Sequence, residues 1–577
     1  MTAPYANTVW ARAIAAELAA AGIDTAVIAP GSRSTPLTAA IADHDAITAR
    51  SLLDERSAAY FALGRARMTG RPTPIVTTSG TATANLHPAV LEADAGRVPL
   101  LLLTADRPPG LQDSGANQTI DQTKLFGDAV RWYRDPGLPE ADDRALRSLR
   151  TTIARAVATT QTSPMGPVHL NLPFRKPLEP VEVPDAFTAD APAAATGRDG
   201  AYVNFHDGTT TPSPEVTATV AAAIDDADRP LVVCGPQNPA TAATAPITTL
   251  AARIDAPILA DPLSQLRFGT AATDATVIGH YDAYLDDVSD WPTPDIVLRF
   301  GASPTSKPLR QYLAASTARQ LLVDPAGDWR EAEFRATDLL VGDPGPTATA
   351  LADHVDPVSG GAWHRRWEDA DAAARSVLAD APFFEGAVLR TVVEAAPAEA
   401  TLAVSNSTPI RDLDRFASPT TTPITTVGNR GASGIDGVTS TALGAGAATD
   451  DPLVAVLGDL AYYHDMNGLL AIDRCAVDAT IVLINNDGGG IFHMLPIADF
   501  DPPFTEYFRT PHGLDFEPST ALYDLEYGHI TSLETFRARY TDSLATAGTQ
   551  VIEVETDAAT SHQTRARVTD QITDAVD

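Results

Sequence analysis

The sequence predicts an α/β fold made of three doubly wound parallel-sheet domains. Short apolar runs rich in β-formers alternate with segments of helical periodicity, and a polar or glycine-containing break separates each run from the helix after it. This alternation comes in three blocks, divided by two stretches rich in Pro, Gly, Ala and Asp. A chain of 577 residues is also too long for one core, because single cores stop growing near about 250 to 300 residues.

The first block predicts an α/β domain over residues 1–180. Its apolar runs predict strands at 25–29, 75–78, 99–104 and 168–172. The breaks at 30–34, 78–81 and 104–108 fall where a strand would lead into a helix. In a doubly wound sheet such breaks lie at the carboxyl ends of the strands, where ligands bind.

Two further blocks follow after a predicted linker at 176–200. A central α/β domain is expected over 195–345, with strands at 231–234, 296–300 and 321–324. A second break is expected at 342–361. The last block predicts an α/β domain over 375–577, with strands near 402–405, 453–457 and 480–485.

The charge balance limits the partners that this chain can have. Its 74 acidic and 41 basic residues leave a formal charge of −33, so we do not expect it to bind nucleic acid. Only three of the basic residues are lysines, and the chain is rich in Asp, Thr and Ala, a composition that resembles proteins of extreme halophiles. Molar salt would screen the self-repulsion of such a chain, because it shortens the Debye length to roughly 3 Å.

Other features predict a cytoplasmic protein. The first ten residues contain no basic region followed by an apolar run, so no secretory signal is expected. No stretch approaches the roughly 20 uncharged apolar residues that a membrane-spanning helix needs. The two cysteines, Cys234 and Cys475, form neither a ligand cluster nor a disulfide framework.

The most specific local motif is Gly458-Asp459-Leu460, followed 27 positions after the aspartate by Asn486 in a glycine-containing run with Gly488. Each half follows an apolar strand, and a right-handed crossover would bring the two carboxyl ends to one edge of the sheet. Asp459 and Asn486 could then hold one Mg2+ together, with backbone carbonyls and a diphosphate close by. Alternatively, Gly-Asp ends one strand and Asn-Asn-Asp-Gly is an ordinary turn.

This pair resembles the cofactor motif of thiamine-diphosphate enzymes, and the three blocks have the order of their pyrimidine-binding, central and diphosphate-binding domains. The resemblance implies thiamine diphosphate with Mg2+, or Mn2+ in its place, bound by Gly458, Asp459, Leu460, Asn486 and Gly488. It also implies that Glu55 activates the aminopyrimidine and that Glu55 of one subunit meets Asp459 of another, in a homodimer or homotetramer. Considered alone, Glu55 is better explained as an acidic residue favoured in the first turn of a helix, whereas together with Asp459 and Asn486 it is better explained as catalytic.

Longer runs resemble one family of these enzymes, the 2-succinyl-5-enolpyruvyl-6-hydroxy-3-cyclohexene-1-carboxylate synthases of menaquinone biosynthesis. The runs are Ala-Pro-Gly-Ser-Arg-Ser-Thr-Pro at 29–36, Thr-Ala-Asp-Arg-Pro-Pro at 104–109, Gly-Ala-Asn-Gln at 115–118, Gly-Asn-Arg-Gly-Ala-Ser-Gly-Ile-Asp-Gly at 428–437, and 486–496. That family decarboxylates 2-oxoglutarate and adds the succinyl-semialdehyde carbanion to isochorismate, so the resemblance implies a decarboxylating transferase that forms a C–C bond.

The resemblance also implies a set of substrate-binding residues. Isochorismate would contact Ser32, Arg33, Arg107, Asn117, Gln118 and Lys307. The part derived from 2-oxoglutarate would face Ser407, Arg411 and Arg430, while Ile435 would support the cofactor and Phe492 would line the reacting centre. Both substrates are dicarboxylates, and guanidinium groups bind carboxylates bidentately. Any one of these arginines could instead form a solvated surface ion pair.

Two positions depart from the family pattern. Pro308 follows Lys307 where some relatives have arginine, so one carboxylate contact must come from elsewhere or be absent. Gly490 stands where some relatives have a larger polar residue. Two other interpretations remain open: a thiamine-diphosphate carboligase or decarboxylase acting on pyruvate, like acetolactate synthase, and a non-catalytic α/β protein.

Overall fold

Three six-stranded sheets, parallel throughout, form the framework of the protein. The computed structural model describes residues 5–184, 193–269, 275–285 and 291–576. Each of the three predicted blocks contains one sheet with helices between its strands, so the predicted α/β fold class is confirmed. Part of the predicted linker, residues 185–192, lies outside the described residues.

The first sheet has the strand order β2-β1-β3-β4-β6-β5. Its strands are β1 (Thr25–Ile28), β2 (Thr48–Ser51), β3 (Thr73–Thr77), β4 (Leu100–Asp106), β5 (Trp132–Arg134) and β6 (Pro167–Pro173). The helices are α1 (Ala6–Ala20), α2 (Thr35–Ala42), α3 (Glu55–Thr69), α4 (Thr81–Ala84), α5 (His87–Ala95), α6 (Asp143–Gln161) and α7 (Ala193–Thr196). Every residue of β1, β3, β4 and β6 is buried, as expected for strands covered on both faces.

The second sheet has the order β12-β11-β10-β7-β8-β9. Its strands are β7 (Pro230–Cys234), β8 (Ile258–Ala260), β9 (Val277–Ile278), β10 (Ile296–Phe300), β11 (Arg319–Asp324) and β12 (Asp338–Val341). The helices are α8 (Pro214–Asp225), α9 (Thr244–Arg253), α10 (Tyr281–Tyr284), α11 (Lys307–Ala315) and α12 (Pro344–His354).

The third sheet repeats the strand order of the first, as β14-β13-β15-β16-β18-β17. Its strands are β13 (Ala400–Val404), β14 (Ile424–Val427), β15 (Leu453–Gly458), β16 (Thr480–Asn485), β17 (Glu526–Ile530) and β18 (Gln550–Glu555). The helices are α13 (Ala362–Ala379), α14 (Glu385–Ala395), α15 (Thr408–Phe416), α16 (Val438–Gly446), α17 (Asp459–Asp465), α18 (Leu470–Cys475), α19 (Glu517–Leu522), α20 (Leu533–Leu544) and α21 (Ala558–Val576).

One predicted break is wrong. The stretch 342–361 contains helix α12, whose buried residues include Ala348 and Leu351. Its first turn contains Pro344 and Pro346, which suggested a loop. Proline is tolerated there, because the first amide groups of a helix have no partner within the helix.

The described chain divides into two compact units. The first contains residues up to 207 together with 429–449 and 465–477, and the second contains 208–428, 450–464 and 478 onward. Within the first unit, α16 packs against α3 with their backbones in contact. A Cβ on Gly64 would lie 2.0 Å from the Thr441 carbonyl oxygen, and one on Gly444 would lie 1.9 Å from that of Phe61. Only glycine fits at these two positions. The bounds of the three predicted domains stay a prediction.

No helix within the described ranges is long and apolar enough to cross a membrane.

Candidate active site

In the first unit, hydrogen bonds connect the loops that leave the carboxyl ends of β1, β3 and β4. The backbone N–H of Arg33 donates to Thr78 Oγ1 at 3.1 Å. Two further bonds reach the 117–118 loop: Ser79 Oγ donates to the Gln118 carbonyl at 2.9 Å, and Arg107 Nη2 donates to the Asn117 carbonyl at 2.8 Å. Because the three strands are parallel neighbours, these predicted binding residues share one edge of the sheet.

Two guanidinium groups face this edge. The Arg33 side chain is buried and donates through Nη1 to the Phe174 carbonyl at 2.8 Å. Burial lowers the pKa of Arg33, and the nearby positive charge of Arg107 lowers it further. Among the residues that the structure describes, Arg107 Nε has no hydrogen-bond partner although it is buried. Two cations held close together, one with an unused donor, would be stabilised by a bound carboxylate.

Glu55 lies at the same end of the sheet. It is the first residue of α3, which follows edge strand β2, and Asn85 Nδ2 donates to its Oε2 at 3.1 Å. The preceding residue, Asp54, caps the helix by accepting from the backbone N–H groups of Arg56 and Ser57. The carboxylate of Glu55 is therefore held at a fixed helix start and is only partly buried.

Arg430 and Ile435 lie in the glycine-rich run at 428–437, and a buried carboxylate holds that run in place. Glu92 Oε1 accepts from the Gly431 N–H at 2.9 Å, and its Oε2 accepts from the Ala432 N–H at 2.7 Å. Arg67 Nη2 donates to Glu92 Oε1 at 2.9 Å, so the buried charge is paired. Both Arg430 and Ile435 are partly buried.

In the second unit, Gly458-Asp459-Leu460 and the run that begins at Asn486 meet at one edge of the third sheet, as their spacing predicted. β15 and β16 are adjacent and parallel, and Gly458 pairs with Ile484. Asp459 Oδ2 accepts from the backbone N–H of Asn486 at 3.1 Å and from that of Gly488 at 2.9 Å. Its Oδ1 accepts from the Leu460 N–H at 2.6 Å. The proximity of Asp459 and Asn486 is the geometry that the spacing predicted.

The donor atoms present fit a hard cation and a diphosphate. Asn486 Oδ1 is buried and has no hydrogen-bond partner among the described residues. Burial raises the pKa of Asp459, whose desolvated charge a cation would compensate. A Cβ added to Gly458 would meet no atom within 4 Å, so open space lies beside it. Carboxylate, amide and carbonyl oxygens with room for phosphate are the environment that Mg2+ favours.

A loop after the π-helix at Phe504–Arg509 packs on this motif. Asp487 Oδ1 accepts from the backbone N–H groups of His512, at 2.9 Å, and Gly513, at 2.7 Å. His512 Nε2 lies 3.3 Å from Asp459 Oδ2. Gly488 has a φ of +128°, and a Cβ there would lie 2.1 Å from the Arg509 carbonyl oxygen. This contact requires glycine at position 488.

The remaining predicted residues of the second unit lie at strand ends or helix starts. Ser407 precedes α15 with a φ of +72°, and Arg411 Nη1 donates to its carbonyl at 2.7 Å. Lys307 is the exposed first residue of α11, whose first turn also accommodates Pro308. Phe492 packs edge to face on Phe508, with ring centroids 5.6 Å apart.

The predicted residues therefore form two groups, each within one unit. The first unit contains Ser32, Arg33, Glu55, Arg107, Asn117, Gln118, Arg430 and Ile435. The second contains Lys307, Ser407, Arg411, Gly458, Asp459, Leu460, Asn486, Gly488 and Phe492. That both groups serve one reaction, and that Glu55 meets Asp459 of another subunit, stay predictions.

Comparison with known proteins identifies the family. Residues 9–125 match the thiamine pyrophosphate enzyme N-terminal TPP-binding domain, and residues 414–554 match the C-terminal TPP-binding domain. The 2-succinyl-5-enolpyruvyl-6-hydroxy-3-cyclohexene-1-carboxylate synthase of Halobacterium salinarum is 58% identical over 99% of both chains. This chain belongs to that synthase family. The family member of Haloarcula marismortui is 56% identical over 100% of both chains, and that of Roseiflexus castenholzii is 47% identical over 96% of this chain and 97% of its own.

Solved structures agree on the fold of this synthase family member. A benzoylformate decarboxylase from Polynucleobacter necessarius superposes with a TM-score of 0.73 at 18% identity, covering 95% of this chain and 98% of its own. A thiamine diphosphate-dependent 4-hydroxybenzoylformate decarboxylase from Rhodococcus jostii gives a TM-score of 0.72 at 18% identity, covering 95% and 99%. At this identity the likeness shows a shared fold.

Sequence reasoning missed three buried carboxylates in this member of the synthase family. Glu92 holds the glycine-rich run, and Glu385 Oε1 accepts from Asn486 Nδ2 at 2.8 Å. Asp465 accepts from the Ser440 N–H at 2.7 Å and from Ser57 Oγ at 3.0 Å, and burial raises its pKa to about 6. None lies in a recognised motif, and the residues around Glu92 and Asp465 include other polar side chains, so no local pattern marks them as buried.

Proposed function

We propose that this chain decarboxylates 2-oxoglutarate on thiamine diphosphate and joins the remaining four-carbon unit to isochorismate. The products are 2-succinyl-5-enolpyruvyl-6-hydroxy-3-cyclohexene-1-carboxylate and CO2, a step of menaquinone biosynthesis. The observation that carries the proposal is 58% identity, over 99% of the chain, to the Halobacterium salinarum protein named as the synthase of that product. The geometry adds support, because Asp459 lies beside Asn486 in the second unit and Arg33 lies near Arg107 in the first.

The cofactor site is proposed to use the motif after β15 and β16. Asp459, Asn486 Oδ1 and the Gly488 carbonyl would hold Mg2+, or Mn2+ in its place, while Gly458 leaves room for the diphosphate and Leu460 and Ile435 contact the cofactor. Thiamine diphosphate, when bound, supplies the electron sink for decarboxylation. Glu55 would accept a hydrogen bond from the aminopyrimidine and move its proton, with Asn85 fixing the carboxylate.

The substrate site is proposed to depend on paired arginines. Arg33 and Arg107 would bind a carboxylate of isochorismate, and charge-assisted hydrogen bonds of this kind contribute about 1.5 to 3 kcal/mol each. Ser32, Asn117, Gln118 and Lys307 would complete that site. Ser407, Arg411 and Arg430 would bind the 2-oxoglutarate-derived part, and Phe492 would help to exclude water from the reacting atoms.

The deciding experiment is a reconstitution in molar KCl. The purified protein is incubated with Mg2+, thiamine diphosphate, 2-oxoglutarate and isochorismate, and loss of both substrates is followed while each component is omitted in turn. We expect consumption that needs all four additions. Turnover of pyruvate in place of 2-oxoglutarate would refute the substrate assignment, and turnover without the cofactor would refute the proposed chemistry.

The protein is further proposed to work in the cytoplasm as a homodimer or homotetramer with active sites shared between subunits. Two inactive variants, Glu55→Gln and Asp459→Ala, are mixed under conditions that exchange subunits. If sites are shared, half of the sites in each mixed dimer have both native residues, and activity recovers to about one quarter of the native value. No recovery, with subunit exchange verified, would refute shared sites.

A further inference from the structure

A chain of buried charged groups ends at the Asn486 side chain. Arg565 donates to both carboxylate oxygens of Asp412, from Nε at 2.7 Å and from Nη2 at 2.6 Å. The same Nη2 donates to Glu385 Oε2 at 2.8 Å. The other oxygen of Glu385 accepts from Asn486 Nδ2 at 2.8 Å. The Arg565, Asp412 and Glu385 side chains are all at most 5% exposed.

This arrangement determines which way the Asn486 amide points. A carboxylate paired with a guanidinium can only accept hydrogen bonds, so the nitrogen of the amide must face Glu385. The oxygen then faces the other way, where it is buried and has no hydrogen-bond partner within the described part of the chain. The amide also lies over the backbone of Gly490, where an added Cβ would be 2.6 Å from Asn486 Nδ2, so glycine at position 490 leaves room for it.

We propose that Glu385 is a positioning residue for the metal site: it fixes the Asn486 amide so that Oδ1, and not Nδ2, is presented to the divalent cation. This inference rests on the proposed function, because it assumes the cation at Asp459 and Asn486. Arg565 acts one step further back, by holding Glu385 as an acceptor. Residues behind metal ligands commonly determine their orientation in this way.

The test begins with Glu385→Gln, which keeps the shape of the side chain and replaces one acceptor oxygen by a donor nitrogen. Arg565 still donates from its side, so the glutamine oxygen stays on Arg565 and the glutamine nitrogen faces Asn486. The asparagine amide must then turn its oxygen toward Gln and its nitrogen toward the cation. We expect the Kd for Mn2+, measured by calorimetry with saturating thiamine diphosphate and no substrate, to rise about 10- to 100-fold.

A second substitution makes the test specific for amide orientation. In Asn486→Asp, a carboxylate lies against the carboxylate of Glu385, so we expect weaker Mn2+ binding although a second carboxylate ligand would ordinarily strengthen it. In Glu385→Gln combined with Asn486→Asp, the glutamine nitrogen donates to one aspartate oxygen and the other oxygen faces the metal. Affinity should return to within about threefold of the native value, a restoration that two independent structural defects would not produce.

The control is Glu394→Gln, which removes one carboxylate from the same helix, where Glu394 is 49% exposed and pairs with Arg390 and Arg537. Its Mn2+ affinity should match that of the native protein. Native protein that fails to bind thiamine diphosphate and Mn2+ would refute the proposed function and this inference with it. If the native protein binds both and Glu385→Gln binds Mn2+ as tightly as the native protein, the inference is wrong while the proposed function stands. The same conclusion follows if the double variant binds Mn2+ as weakly as Glu385→Gln does. If Glu385→Gln does not fold, Asn486→Asp decides, and binding as tight as native would overturn it.

Discussion

Asp465→Asn should remove a pH-dependent loss of stability from the first unit. Asp465 is fully buried, and burial raises the pKa of its carboxyl to about 6 from an ordinary value of 3.8. The folded protein therefore binds this proton more tightly than the unfolded chain does. The stability from this group is fully present below pH 3.8 and is lost as the pH rises through about 6.

The size of the effect follows from the shift. At about 1.4 kcal/mol for each pKa unit, ionising Asp465 costs about 3 kcal/mol of folding free energy above pH 7. The asparagine amide can still accept from the Ser440 N–H, and the Ser57 hydroxyl can turn to accept from its nitrogen. The variant keeps these contacts and loses the buried charge.

The assay is urea unfolding of both proteins in molar KCl at intervals from pH 4 to pH 8. The free energy of unfolding of Asp465→Asn minus that of the native protein should increase between pH 4 and 6 and become constant above about pH 7. Asp473→Asn, which removes an exposed carboxylate from the same segment, is the matched control for the loss of one charge. A difference that does not change with pH would show that the burial argument is wrong.

The five remaining predictions concern the proposed site and the charge of the chain. Glu55→Gln should slow turnover by about 100- to 10,000-fold while thiamine diphosphate affinity in calorimetry changes little; near-normal turnover would remove its catalytic role. Gly458→Ala should leave the melting temperature unchanged, because its Cβ meets open space, yet weaken thiamine diphosphate binding. Gly488→Ala should lower the free energy of unfolding by about 1 to 3 kcal/mol, since its φ is +128° and its Cβ would meet the Arg509 carbonyl. A Gly458→Ala protein that is destabilised, together with a Gly488→Ala protein of native stability, would contradict the site geometry. Arg107→Lys should raise the KM for isochorismate about tenfold and the KM for 2-oxoglutarate less, because lysine cannot bind a carboxylate bidentately, and equal effects would count against the assignment. The melting temperature of the native protein should rise from dilute to molar KCl as its charge of −33 is screened, and a flat or falling curve would show that repulsion does not limit its stability.

The fold was predictable where burial leaves a continuous apolar run. All ten strands expected from such runs are present, with ends shifted by at most two residues. Strands β2 and β17, at sheet edges, were not recognised because most of their side chains are not buried and carry no such run. The buried strands β8 and β18 were missed as well, because β8 has only three residues and polar residues interrupt the apolar ones in β18. Helix α12 was missed because prolines in its first turn resemble a loop in sequence.

The candidate site was predictable where its residues follow a strand directly. Asp459 and Asn486 follow the neighbouring strands β15 and β16, so the order of strands and helix in the sequence already predicts their proximity. Glu385 lies 101 residues before Asn486 and contacts it only because α14 and the loop after β16 meet in the folded unit. No local pattern contains that information, and the same holds for Glu92 and the run at 431–433.

The interleaved course of the chain affects how the protein can be divided. The backbone passes from one compact unit to the other after residues 207, 428, 449, 464 and 477, so no single break separates the two. A gene split between codons 428 and 429, where the chain passes between units, would leave α3 in one polypeptide and α16, with its glycine contact at Gly444, in the other. Neither polypeptide would contain all the segments of a compact unit. The two pieces should therefore accumulate in folded form only when one cell synthesises them together.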